Sequence, residues 1–262
     1  MTRLVLITGA SSGIGYEMAK VCAAQGHDLI AVARREDRLT TLKQDIEQTY
    51  GVTVWPYPAD LTDAQARQDL FHWMQTLGQP LYALVNNAGF GLLEPFAKTD
   101  WEQQNAMLQL NVVALAHLTR LVLPGMIAQG QGRILNVAST AAFLPGPYMA
   151  VYYASKAFVQ SFTEAIASEL EGTGVTATTL CPGPTESEFQ EVAGMGQLEF
   201  FSGKLPTSAE VATFGYRAME KGERTAVHGL VNNLLVFATR LQSDKALATM
   251  MKGFQQPKGS PN

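Results

Sequence analysis

Tyr152 and Lys156 stand four residues apart in YYASK, and Ser139 precedes the tyrosine by thirteen residues. At that spacing on a helix the two side chains share one face and can converge on one substrate atom. A phenol has an ordinary pKa near ~10, too high for proton transfer at neutral pH. A neighbouring ammonium, together with the positive ring of an oxidised nicotinamide, favours the phenolate. Lowering the pKa by about three units takes about 4 kcal/mol of differential stabilisation. So tuned, Tyr152 would act as general acid toward a carbonyl or general base toward an alcohol. Tyr153 lies only three residues from Lys156, so the spacing selects Tyr152. Ser139 closes the strand-like run RILNVAS, where its hydroxyl can orient the substrate oxygen. No GxSxG elbow surrounds it, and His27, His72, His117 and His228 have no hydrolase-like setting, which argues against a serine hydrolase.

A second constellation lies at the start of the chain. Gly9, Gly13 and Gly15 separate the run RLVLIT from a helical pattern beginning near Ile14. Such a turn brings backbone N–H groups and a helix N-terminus against a pyrophosphate, and the missing side chains permit the approach. The next strand-like run, DLIAVA, ends at Ala33, where an acidic residue would grip the ribose hydroxyls of NAD(H). Arg34 and Arg35 follow instead, with Arg38 close behind. A guanidinium pairs with a 2′-phosphate in a forked, charge-assisted geometry, so the sequence predicts NADP(H) over NAD(H).

Positioning these groups needs alternating strands and helices. Strand-length apolar runs fall near 3–8, 28–33, 52–57, 81–85, 132–137 and 175–180, with a further one near 225–229. Helical patterns fill 13–25, 36–50, 63–76, 100–129, 151–171 and 208–221, and Pro124-Gly125 with Gly130–Gly132 end the fourth before the fifth strand. The alternation predicts an α/β fold of Rossmann type, a doubly wound parallel sheet with helices on both faces. With 262 residues, 47% apolar and 16% charged, one domain over 1–255 can bury such a sheet, leaving 256–262 as a frayed tail.

The net charge of −4 gives no reason to expect a nucleic acid partner. Cys22 and Cys181 have neither a disulfide framework nor metal-ligand spacing, so no metal is expected and a reducing cytoplasm is the simplest home. The amino terminus runs straight into a strand, without the regions of a signal peptide. No uninterrupted run of 18 or more apolar residues occurs, and no transmembrane segment is expected.

TGASSGIG, Asp60 in ADL, NNAG at 86–89, Asn111, Ser139, Tyr152, Lys156 and Pro182-Gly183 occur in an order that resembles the single-domain short-chain dehydrogenases/reductases over almost the whole chain. That resemblance implies a sheet of about seven strands, hydride transfer between NAD(P) and a carbonyl or alcohol carbon, and a homodimer or homotetramer. It implies Tyr152 as acid/base, with Lys156 holding the nicotinamide ribose and depressing the tyrosine pKa. It further implies Ser139 on the carbonyl oxygen and Asn111 in a water-mediated proton relay. The cofactor would rest on Gly9, Ser11, Ser12, Gly13, Ile14 and Gly15, with Asp60 and Leu61 at the adenine and Asn87, Ala88 and Gly89 near the adenosine ribose. Tyr152 and Lys156 would also touch the cofactor, Pro182 and Gly183 would flank it, and Thr185 and Ser187 would lie on its carboxamide and phosphate side. VARREDRL and PGPTESEF resemble an NADP-preferring subgroup that includes the DltE-like oxidoreductases.

Beyond AVHGL the chain departs from the Gly-rich close of many members. Leu230, Leu234, Phe237 and Leu241 recur at helical spacing within a segment of about 230–252. This stripe is expected to pack on the sheet or between subunits, with a substrate lid or membrane-surface helix as the alternative. Phe90–Leu93, Phe143–Met149, Phe189, Met195, Leu198, Phe200 and Phe201 are mostly apolar and point to a small hydrophobic ketone or aldehyde, while Glu186, Glu188, Glu191 and Glu199 disfavour a highly anionic one. A protein that binds NADP(H) without turnover is the alternative from another class. An epimerase or dehydratase of nucleotide-sugars would need a larger substrate domain.

Overall fold

The computed structural model describes residues 3–194 and 205–255. Its strands are β1 (Leu4–Thr8), β2 (Asp28–Ala33), β3 (Val54–Pro58), β4 (Leu81–Asn86), β5 (Gly132–Val137), β6 (Val175–Cys181) and β7 (Thr225–Val227). They form one parallel sheet in the order β3-β2-β1-β4-β5-β6-β7. The strands interleave with α1 (Gly13–Ala24), α2 (Glu36–Tyr50), α3 (Ala64–Thr76), α4 (Trp101–Leu108), α5 (Leu115–Gln129), α6 (Ala150–Glu169), α7 (Phe189–Val192) and α8 (Ser208–Lys221). Two more helices, α9 (Leu230–Thr239) and α10 (Asp244–Gln255), end the described chain.

Continuous apolar strands serve a sheet covered on both faces. LVLIT in β1 is buried at every position. Val5 and Ile7 face a core with Met18 of α1, Leu39 and Leu42 of α2 and Met219 of α8. Leu4 and Leu6 face the opposite core, with Leu70 of α3, Leu118 and Val122 of α5 and Ile166 of α6. Pro56 and Pro58 sit on β3, an edge strand, where a missing N–H costs no ladder bond to an outer neighbour.

Strand order reverses at β1, flanked by β2 and β4, and this switch point opens a crevice at the strands' carboxyl ends. The glycine turn is pressed into it. Gly9 has φ +68°, and a Cβ there would stand 2.8 Å from Asn87 Nδ2. A Cβ on Gly15 would stand 2.3 Å from the Gly9 carbonyl oxygen. Thr8 completes the junction, its Oγ1 accepting the backbone N–H groups of Asn87 and Ala88, each at 3.0 Å.

Two features differ from the pattern of the sequence. The helix begun at Trp101 passes through Pro124-Gly125 and stops only at Gly130, whose φ is +64°. Pro124 and Gly125 are exposed, while Val122 and Met126 beside them continue to pack. Residues Gln109–Ala114 of this run form a π-helical turn between α4 and α5. The whole of Trp101–Gln129 is long and apolar enough to cross a membrane by length and composition. Its apolar side, with Leu118, Val122 and Met126, is occupied by one of the two sheet cores.

The C-terminal stripe also differs. Leu230, Leu234, Phe237 and Leu241 point outward at 86, 70, 62 and 75% exposure and do not pack on the sheet. Asn232 and Val236 face inward instead.

Gly15→Ala is expected to cost about 3 kcal/mol, the upper end for overpacking, because the added carbon meets backbone. Gly26→Ala, at φ +78° with nothing within 4 Å, is expected to lose only about 1 kcal/mol of left-handed strain. Urea denaturation of both variants checks the contrast, and equal losses would refute it.

Candidate active site

A cleft of about 750 Å³ runs from Arg34 and Arg35 past the glycine turn to Tyr152 and on to Phe254. At its reacting end, α6 presents Tyr152 and Lys156 on one face, only 8 and 6% exposed. Lys156 Nζ lies 5.7 Å from the Tyr152 ring centroid and donates to the Val137 carbonyl at 2.8 Å. Ser139, just past β5, hydrogen-bonds the Tyr152 hydroxyl. Its Oγ also accepts from the Ala141 N–H at 3.1 Å and donates to the Pro182 carbonyl at 3.4 Å. The Phe189 ring packs 5.4 Å from that of Tyr152. Tyr153 also lines the cleft, its hydroxyl bonded to Gln255.

Burial dominates the electrostatics of these side chains. Burial pushes the Tyr152 pKa well up, against the smaller opposing effect of the Ser139 hydrogen bond. Burial also lowers Lys156 to about 8 and raises the nearby Cys181 thiol to about 12. For Tyr152 and Lys156 alike, desolvation favours the neutral form.

Asn111 lies beneath the cleft. Its Oδ1 accepts the Phe90 N–H at 3.1 Å, and its Nδ2 donates to the Phe90 carbonyl at 2.9 Å and to Ser155 Oγ at 3.1 Å. Ser155 in turn donates to the Tyr152 carbonyl at 2.7 Å. The π-helical turn sets this geometry by widening the helix at residue 111. A Cβ built on Gly89 would stand 3.0 Å from Asn111 Oδ1 and 3.5 Å from Lys156 Nζ, which leaves glycine as the residue that fits.

At the other end, Gly9, Ser11, Ser12, Gly13 and Ile14 line the cleft with Asp60, Leu61, Asn87, Ala88, Gly89, Pro182, Gly183, Thr185 and Ser187. Gly15 does not line it, since it serves the close packing against Gly9. Arg38 also stands outside the lining, 3.9 Å from Glu188. Burial pushes the Asp60 carboxyl up, but hydrogen bonds from Thr62 and the charge of Arg34 bring it below its usual range.

Several contributors left no local sequence signal. Thr8 and Ser155 read as ordinary strand and helix residues. Asn232 of α9 packs over Gly183, where a Cβ would stand 2.5 Å from its Nδ2. Leu235, Val236 and Thr239 of α9 and Met251, Phe254 and Gln255 of α10 wall the substrate end. Phe90, Leu92, Leu144, Met149 and Phe189 join them, Leu93, Phe143 and Tyr148 do not, and Met195, Leu198, Glu199, Phe200, Phe201 and the 256–262 tail lie outside the described residues. No group of three or more His, Cys, Asp or Glu side chains that could hold a metal occurs among the described residues.

A seven-stranded parallel sheet with a glycine turn at its switch point and a Ser-Tyr-Lys set beside it defines a dinucleotide-dependent dehydrogenase architecture. The short chain dehydrogenase family profile matches residues 3–197, and the chain belongs to that family. Sulfoacetaldehyde reductase 2 of Chromohalobacter salexigens is 40% identical over 191 residues, 72% of this chain and 75% of that protein. The NADP-dependent 3-hydroxy acid dehydrogenase YdfG of Salmonella typhi is 36% identical over 198 residues, 75% of this chain and 78% of that one. A short-chain dehydrogenase from Sphingobium yanoikuyae in complex with NADPH superposes with a TM-score of 0.82 at 28% identity, over 98% of each chain.

Asn111→Ala is expected to destabilise the fold by about 1–3 kcal/mol, because the part-buried Phe90 N–H loses its side-chain acceptor and the buried Ser155 hydroxyl loses a donor. Urea unfolding at neutral pH checks this, and an unchanged midpoint would refute it.

Proposed function

We propose that the protein is an NADP(H)-dependent oxidoreductase that interconverts the carbonyl and alcohol of a small, mainly apolar ketone or aldehyde. The observation that carries this reading is the placement of Ser139, Tyr152 and Lys156 in one cleft with the glycine turn and Arg34 and Arg35. The cradle fits the cofactor, because a side chain at Gly9 would fill the turn. When bound, NADP(H) supplies or accepts the hydride.

The chain's own residues would handle the proton. Ser139 orients the substrate oxygen, and Tyr152, kept neutral by burial, donates its proton to that oxygen in reduction. Protonated Lys156 stabilises the phenolate left behind, and proximity of Lys156 and Asn111 at Gly89 supports a relay that restores the proton. Gly9, Ser11, Ser12, Gly13, Ile14, Asn87, Ala88, Pro182, Gly183, Thr185 and Ser187 would hold the cofactor's body, and Asp60 and Leu61 its adenine. Arg34 and Arg35 would receive the 2′-phosphate, with Arg38 adding charge from outside the cleft lining. The NADP-dependent relative, the NADPH complex and the resemblance of VARREDRL and PGPTESEF to the DltE-like subgroup support this phosphate over NAD(H).

Phe90, Leu92, Leu144, Leu235, Val236 and Phe254 support an apolar substrate. Cys22 and Cys181, both buried free thiols, fit a cytoplasmic setting. The outward stripe of α9 supports a homodimer or homotetramer.

NADPH oxidation at 340 nm against apolar aldehydes, ketones and diketones tests the activity. Tyr152→Phe is expected to lose at least about 10²-fold in kcat while NADPH binding persists. Binding without turnover by the native protein across the panel would count against the enzyme reading.

The pH profile follows from the buried lysine. Reduction requires protonated Tyr152 and protonated Lys156, so kcat/KM for NADPH is expected to be level at lower pH and to fall as pH rises through about 8. Lys156→Arg, whose charge does not titrate in this range, is expected to remove that fall. A native profile unchanged through pH 9 would overturn the assignment.

A further inference from the structure

The guanidinium group of Arg35 already has an anionic partner from within the chain. Arg35 Nη1 donates to Glu188 Oε2 at 2.9 Å, while its Nε and Nη2 donate to Ser11 Oγ at 3.3 and 3.1 Å. Arg38 Nη2 lies 3.9 Å from the other Glu188 oxygen, and Ser12 adds a side-chain hydrogen bond to the same carboxylate. Glu188 thus draws on two arginines and a serine of the glycine turn, the donors expected for a phosphate. All of these groups except Arg38 line the cleft.

The carboxylate reaches this place from the loop after β6. Its neighbours bracket the two ends of the cleft. A Cβ on Gly13 would stand 3.4 Å from Ser187 Cβ, and Phe189 packs on Tyr152. The two adjacent arginines are unequal: Arg35 is paired with Glu188, while the charge of Arg34 bears on Asp60.

We propose that Glu188 is an internal competitor of the cofactor's 2′-phosphate, which must displace this carboxylate from Arg35 to bind. The inference rests on the NADP(H) reading given above. A dinucleotide without the 2′-phosphate has no group that needs Arg35, so Glu188 weakens NADP(H) selectively and sets how strongly the site discriminates. Arg35 and Glu188 are 42 and 41% exposed at the side chain, so their pairing has the modest strength of a surface ion pair.

The test compares the native protein with Glu188→Gln, which retains size and polarity but removes the charge. Dissociation constants are measured by calorimetry for 2′,5′-ADP and 5′-AMP, probes that differ only in the 2′-phosphate, and for NADPH and NADH. Glu188→Gln is expected to tighten 2′,5′-ADP and NADPH by about two- to fivefold, the range an exposed ion pair is worth. It is expected to leave 5′-AMP and NADH within about that lower bound, so the phosphate preference rises. A native protein that prefers 2′,5′-ADP but whose preference is unchanged or reduced in Glu188→Gln overturns the competitor role while the NADP(H) reading stands. A native protein that binds the two probes equally overturns both. Glu188→Asp, which keeps the charge on a shorter arm, serves as a second variant. Preference rising in Gln but not in Asp supports competition by charge, and an equal rise in both overturns it.

Discussion

The approach of the β1–α1 turn to the end of β4 is the constraint on which the rest of this molecule depends. Thr8 binds two backbone N–H groups of the neighbouring strand's exit, and Asn87 returns its amide to the Thr8 and Gly9 carbonyls. Backbone meets backbone across this junction at distances that exclude a methyl group at Gly9 or Gly15. The crevice floor is consequently built from main-chain atoms, whose positions are fixed by the sheet. Side chains that line the walls inherit that precision, because β4 and β5 carry the groups that precede Gly89 and Ser139.

The reacting end shows a contest between burial and charge. Tyr152 and Lys156 are removed from water together, and desolvation favours the neutral form of each, raising one pKa and lowering the other. A proton shared between such groups is poised by whatever charge enters the cleft, since the low-dielectric walls amplify any new field. Asn111 works at one remove. Its amide fixes Phe90 and, through Ser155, the Tyr152 backbone, so the acid is held by its main chain as well as by Ser139.

Local chemistry made much of this legible. Strand-length apolar runs and turn glycines give the sheet, the four-residue spacing distinguishes Tyr152 from Tyr153, and the missing acid after Ala33 points to the arginines. Legibility ended where distant segments decide. Pro124 reads as a breaker until it is known to face solvent, and the π-helical turn depends on what Asn111 meets 21 residues away at Phe90. The α9 stripe marks an apolar face without saying which way it looks. Gly15 and Arg38 belong to motifs whose neighbours touch the cleft, yet their own positions look elsewhere. Glu188 is 153 residues from Arg35, and no pattern within a sequence window links them.

The long helix from Trp101 to Gln129 carries a consequence for biosynthesis. Its core side rests on β4, which precedes it in the chain, and on β5 and α6, which follow. At a synthesis rate of about 5–20 residues per second, several seconds separate its emergence from that of Glu169. Through that interval a segment apolar enough for a lipid bilayer has only part of its eventual cover. The nascent chain, more than the finished protein, is the form of this molecule that exposes the helix to chaperones and to the machinery that sorts hydrophobic segments.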